Sequence, residues 1–185
     1  MQAINLDNAV IFDAETTGLD SSARICEISV IDAKTGFVLF NSLVNPLCSI
    51  PAAASSIHGI VDSDVMFSPS FDKVWNEIKG IFFDRTVIAY NFDFDFRMVA
   101  QSLSDFDYPQ ENLLAFFRYS FCAMRFYADF YGSLCGNDVT PRFQRLTNAC
   151  YQQDVDISGL KAHRSLSDCE MTRLLINAVN AKLGA

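Results

Sequence analysis

Three runs rich in Val, Ile and Phe open this chain in quick succession: NAVIFDAE (8–15), RICEISVIDA (24–33) and GFVLFNSLV (36–44). Turns as short as AKTG separate them, so the runs read as three strands joined in an antiparallel meander. The pattern then changes. SFDKVWNEIKGIFF (70–83) spaces Phe71, Val74, Trp75, Ile78, Ile81 and Phe82 as one helical face, with Ser70 at the N-cap. TVIAYN (86–91) is a short buried strand followed by a helical stretch to about Leu103, and RYSFCAM (118–124) supplies a fifth strand. Helices are expected near 125–132 and 142–152, and SLSDCEMTRLLINAVNAK (165–182) forms the last and best-defined one. A meander followed by strands alternating with helices makes an α/β fold: a mixed five-stranded sheet, its first three strands antiparallel, with helices on both faces. Between the meander and the first helix, residues 45–65 hold two prolines and many small residues, and read as a long loop. The remaining connections are too short to hold a second domain, so residues 1–185 are expected to fold as one.

Composition narrows the class. Half of the residues are hydrophobic, so a large core is available. The opening MQAINLDNAVIF lacks a basic leader segment, and no apolar run reaches the roughly 18 residues needed to cross a bilayer. A soluble, cytoplasmic protein with no membrane contact is expected. Six cysteines lie scattered without a CxxC pair, which argues for reduced core thiols and against tetrahedral zinc. The net charge of −8 excludes a broad basic surface for long nucleic acid. Arg142, Arg145, Lys161, Arg164 and Arg173 crowd the last quarter, where any polyanion contact should fall.

Three stretches carry chemistry. In FDAETTGLD, Asp13 and Glu15 lie two apart at the end of a buried strand, so their carboxylates leave by one face, roughly 6–7 Å apart. Such a pair repels unless a hard cation lies between; the alternative is a strand running out into a polar turn at Gly18. In YNFDFDFRMV (90–99), strict alternation suggests a half-wet strand with Asp93 and Asp95 equivalent. The segment straddles a strand-to-helix junction, however, and in a helix positions 93 and 95 point about 200° apart. One carboxylate is singled out, and Asn91 shares a face with Asp95. In AHRSLSDCEMT, His163 precedes the last helix and Asp168 lies in its first turn; Ser165 and Asp168 also match a capping box, which would explain the aspartate as a helix start.

Together, four acids and a histidine at element ends are the ingredients of a two-metal phosphodiester site. The order DAETTGL (13–19), IHGI (57–60), PSF (69–71), NFDFD (91–95) and HRSLSDCEMT (163–172) resembles the DEDDh branch of the DnaQ-like 3′–5′ exonucleases, which includes proofreading exonucleases, exonuclease X, RNase T and oligoribonuclease. The resemblance implies a ribonuclease H-like fold. It implies that Asp13, Glu15, Asp95 and Asp168 bind two Mg²⁺ or Mn²⁺ ions, with His163 as general base and Asp93 as spacer. Substrate contacts are implied at Thr16, Thr17, Leu19, Ile57, His58 and Asn91, with backbone at Thr17 and the Ile57–His58 segment meeting the terminal nucleotide. Three departures stand out: Ser165 where relatives usually carry Ala, Ala14 where Thr or Leu is commoner, and Tyr90 at an often-histidine position.

The expected activity is removal of nucleoside 5′-monophosphates from single-stranded 3′ ends, DNA favoured over RNA. The rivals are an exoribonuclease of the same branch and a non-catalytic accessory module that binds nucleic acid. The segment AFFRYSFCAMRFYADFYG (115–132), with eight aromatics, reads as core, or alternatively as a homodimer or partner surface.

Overall fold

The structure is a computed structural model that describes residues 1–134 and 142–184. Five strands form one sheet: β1 (Ala9–Thr16), β2 (Ile25–Asp32), β3 (Val38–Leu43), β4 (Thr86–Ala89) and β5 (Tyr119–Cys122), in the order β3-β2-β1-β4-β5. β1 pairs antiparallel with β2, and β2 with β3, while β4 runs parallel to both β1 and β5. Each strand of the meander lies within two residues of its expected position.

β1 is the central strand, and its alternation sorts the core. Val10, Phe12 and Ala14 join a cluster with α3 (Phe71–Phe82), α4 (Phe92–Ser104) and α5 (Gln110–Phe116). There Trp75 is fully buried and stacks on Phe82 and Phe117. Ala9 and Ile11 face the other way, into a cluster with α6 (Ala123–Leu134), α7 (Leu146–Gln152) and α8 (Ser165–Lys182). Asp13 and Glu15 continue that second row beyond the apolar part of the strand. The acids therefore sit on the α8 side of the sheet, at the C-terminal end of β1, where ligands of open α/β sheets commonly bind.

Residues 45–65 are not all loop. They hold α1 (Ala52–His58) and the single turn α2 (Asp62–Val65). Pro51 occupies the N-cap position, three alanines with high helix propensity follow, and Gly59 ends α1 at φ 79°. That Pro-Ala-Ala-Ala…Gly pattern was a helix signal in its own right. The aromatic segment 115–132 turns mostly inward: Phe117, Phe126, Tyr127 and Phe130 are buried, and only Tyr119 is substantially exposed. The other three aromatics, Phe116, Phe121 and Tyr131, are half-buried, so the core reading accounts for most of the segment. The cysteine expectation also needs correction. Cys26, Cys150 and Cys169 are buried, but Cys48 is exposed and Cys122 half-buried; all five are free thiols, and Cys135 lies outside the described residues. Among the described residues no helix is long and apolar enough to cross a membrane.

Candidate active site

The four acids reach the site from three elements. Asp13 and Glu15 ride on β1, opposite Ser29 and Glu27 of β2. The pairing register shifts between Glu15 and Thr16, just past the acids, and such irregularities are common beside functional sites. Asp168 comes from the first turn of α8, which lies against β1 and β2. One carboxylate oxygen from each of Asp13, Glu15 and Asp168 lies within 4.8 Å of the others. Asp95 enters from the first turn of α4, buried to 3% exposure, and is close enough to raise the pKa of Asp13. Asp93 lies on the opposite side of that turn, exposed and paired with Arg125. The two aspartates are not equivalent.

The electrostatics are those of an uncompensated cluster. Burial first, then Asp95, Asp168, Glu15 and Glu27, push the Asp13 carboxyl well above its ordinary range. Burial, then Asp168 and Glu27, raise Glu15 to about 8, against a downward pull from Arg164. Burial raises Asp95 as well, opposed by a backbone hydrogen bond at Ala14. Asp168 rises to about 6, mainly through burial, although the His163 backbone N–H donates to its Oδ1 at 3.2 Å. Clustered hard oxygens that resist shared ionisation are the donor set that Mg²⁺ or Mn²⁺ fits.

The four acids line one cleft, and Glu15 is shared with a second. The first, of about 680 Å³, runs past Asn91, Tyr90, Phe143 and Arg145; the second, of about 530 Å³, runs past Thr17, Ala54 and Ile57. Glu15, Leu19, Phe94 and His163 line both. His163 is exposed and adopts φ 60°. Among the described residues six non-glycine residues have positive φ, four of them Asn or Asp, and His163 shares that left-handed region, which histidine also visits more readily than most side chains.

The other expected contact residues divide. Leu19 (76% exposed) and Ile57 (57%) present open apolar surface to the clefts. His58 also lines the second cleft, though it is only 2% exposed. Its Nδ1 accepts the Ile60 N–H at 3.0 Å, and burial holds its pKa below the ordinary 6.5. The ring's Nε2 lies 3.9 Å from Cys26 Sγ, so it also joins the end of α1 to β2. Thr16 Oγ1 donates to the Gly18 carbonyl at 2.7 Å. The Thr17 N–H donates to the Arg24 carbonyl at 2.9 Å, so a backbone contact to a ligand there cannot use that N–H. Asn91 stands at the N-cap of α4, and its carbonyl accepts from Asp95 N–H at 3.1 Å.

The capping-box reading of the third stretch fails. Ser165 does not cap α8; it is fully buried with its Oγ 2.6 Å from Ser29 Oγ, a bond an alanine there would lack. Sequence reasoning also passed over Glu27 and Phe94. Glu27 is 3% exposed in a strand buried at all but its last residue, and an acid inside such a run is a signal that a partner must exist, though not which, because a buried charge requires one.

With this geometry in hand, comparison with known proteins places the chain. A family model described as exonuclease, of the RNase T type, matches residues 10–175. An uncharacterized exonuclease, CP81, of Escherichia phage 186 is 37% identical over 97% of this chain and 91% of its own length. A PolC-type DNA polymerase III of Bacillus cereus is 25% identical over 90% of this chain, which spans only 11% of that polymerase. Among solved structures, exonuclease X in complex with 5′-overhanging duplex DNA superposes with a TM-score of 0.64 at 23% identity, covering 94% of this chain and 92% of that one. E. coli exonuclease I with single-stranded DNA gives 0.75 at 16% identity, over 98% and 41%. The chain belongs to the DnaQ-like 3′–5′ exonuclease family, its fold is ribonuclease H-like, and it is a nuclease of the hydrolase class.

Proposed function

We propose that this protein is a metal-dependent exonuclease of the DEDDh branch that removes nucleoside 5′-monophosphates from the 3′ ends of single strands, with DNA favoured over RNA. The observation that carries the reading is the convergence of Asp13, Glu15 and Asp168 within 4.8 Å, beside buried Asp95, in a cleft that His163 also lines. Asp13, Glu15, Asp95 and Asp168 would hold two Mg²⁺ or Mn²⁺ ions, which when bound supply positive charge for the attacking and leaving oxygens of an in-line displacement.

His163 takes the proton of the attacking water as its oxygen joins phosphorus and the 3′ oxygen departs. Exposure on the cleft rim gives the imidazole access to that water, and the bond from the His163 backbone N–H to Asp168 ties the residue to the acid cluster. Leu19, Phe94 and Ile57 offer apolar surface against which a terminal base can rest. Such contact is indifferent to sequence, because every base has an apolar face, and it suits an unpaired end. Asn91 and the Thr16–Thr17 turn shape the walls around it.

The test uses 5′-labelled DNA and RNA 20-mers, each with Mg²⁺, with Mn²⁺ and with EDTA. The reading expects products shortening one nucleotide at a time from the 3′ end, DNA faster than RNA, and none in EDTA. Faster RNA shortening would transfer the assignment to an exoribonuclease. Binding without products from either strand would point to an accessory module.

A further inference from the structure

We propose that Glu27 is a positioning residue for the reaction: with Arg164 and Ser165 it clamps the segment that carries His163 onto strand β2. The inference rests on the reading of His163 as the base. Glu27 is buried, and in the sheet it stands directly opposite Glu15. Like charges facing each other across an antiparallel pair are destabilising, so an acid at this position requires a compensating role. Its bonds supply one. The Glu27 carboxylate accepts from Arg164 Nε at 3.1 and 3.2 Å, from Arg164 Nη2 at 2.5 Å, and from the Ser165 backbone N–H at 2.9 Å.

Ser165 is the first residue of α8, so its N–H has no partner within the helix. Glu27 therefore caps α8 from across the sheet, in place of the local cap that the helix lacks. Ser165 Oγ meets Ser29 Oγ at 2.6 Å, and Ser29 Oγ also donates to Asn41 Oδ1 at 2.9 Å, which extends the anchorage to β3. The two residues that follow His163 are thus fastened to β2, while the His163 N–H is held by Asp168. The left-handed backbone at His163 is fixed from both sides. Without the clamp, residue 163 has reason to relax to an ordinary φ and carry the imidazole away from the acids.

A double-mutant cycle tests this. Single-turnover cleavage of a labelled single strand is measured at saturating Mn²⁺ for wild type, Glu27→Gln, His163→Ala and the double variant, with KM and melting followed alongside. Gln keeps the shape and the acceptor for Ser165 N–H but removes the ion pair. Glu27→Gln is expected to slow cleavage by about 10–100-fold, the scale of a misplaced catalytic group, with KM and Mn²⁺ dependence little changed. In the His163→Ala background the same change should cost nothing further. An equal loss in both backgrounds, a raised Mn²⁺ requirement, or a wild-type rate in Glu27→Gln would overturn the clamp. If Glu27→Gln does not fold, Arg164→Ala must show the same signature and Arg164→Lys recover part of the rate, and failure of either counts equally against it. A wild-type rate in His163→Ala alone would instead remove the base assignment, and the clamp's role with it.

Discussion

At the scale of single residues, the site turns on which of two neighbouring aspartates faces inward. The Asn91 carbonyl accepts the N–H groups of both Phe94 and Asp95, which starts α4 and swings Asp95 toward β1 while Asp93 swings out to Arg125. Asp95→Asn should lower single-turnover cleavage by several orders of magnitude, since it removes a charge from the proposed metal set. Asp93→Asn loses an exposed ion pair and should change stability by about 0.5 kcal/mol or less, with activity within a few-fold. Matched preparations, checked for folding by circular dichroism, decide between them; a dead Asp93→Asn beside an active Asp95→Asn would reverse the assignment. His163→Ala should reduce turnover by about 10²–10⁴-fold with substrate binding largely intact, and an unchanged rate at pH 7 would remove His163 from the mechanism.

Among elements, those whose residues must show a periodic pattern were legible, and those fixed by one partner across the fold were not. The meander and α3 announce themselves by period 2 and period 3.6, because each buries a regular face. The acids were legible for a related reason, since two carboxylates ending an apolar strand stand out locally. Glu27 was not, because its role is visible only once Arg164 arrives from 137 residues away. Ser165 misled: its spacing to Asp168 fits a local cap, and the fold instead directs it to Ser29. α1 is a middle case, hidden by prolines and small residues yet closed by Gly59 at φ 79°. Gly59→Ala should cost about 1 kcal/mol or more, since a side chain is strained in that region, and the added Cβ would come within 3.3 Å of Lys161 Nζ. A denaturant midpoint equal to wild type would show that α1 does not depend on this turn.

For the molecule as a whole, the acid cluster sets a cost that pH and cations should reveal. In the cation-free folded protein Glu15 titrates at about 8 rather than 4.5, and Asp168 at about 6 rather than 3.8. Between the ordinary and the raised values the folded state holds protons that the unfolded chain has released, so unfolding free energy must fall as pH rises. In EDTA the melting temperature should therefore decline from about pH 5 to pH 8. Millimolar Mg²⁺ or Mn²⁺ should raise it at pH 8 by mass action, and Asp13→Asn should abolish most of that gain. A melting temperature indifferent to pH and cation would mean that the acids are compensated in some other way. The central claim is that this cluster, loaded with cations, cuts phosphodiester bonds. It is tested most directly by one reaction: a 5′-labelled single-stranded 20-mer incubated with wild type or Asp13→Asn, in Mn²⁺ or in EDTA. The account predicts a descending one-nucleotide ladder for wild type in Mn²⁺ alone. Equal cleavage by Asp13→Asn, or by wild type in EDTA, would contradict it.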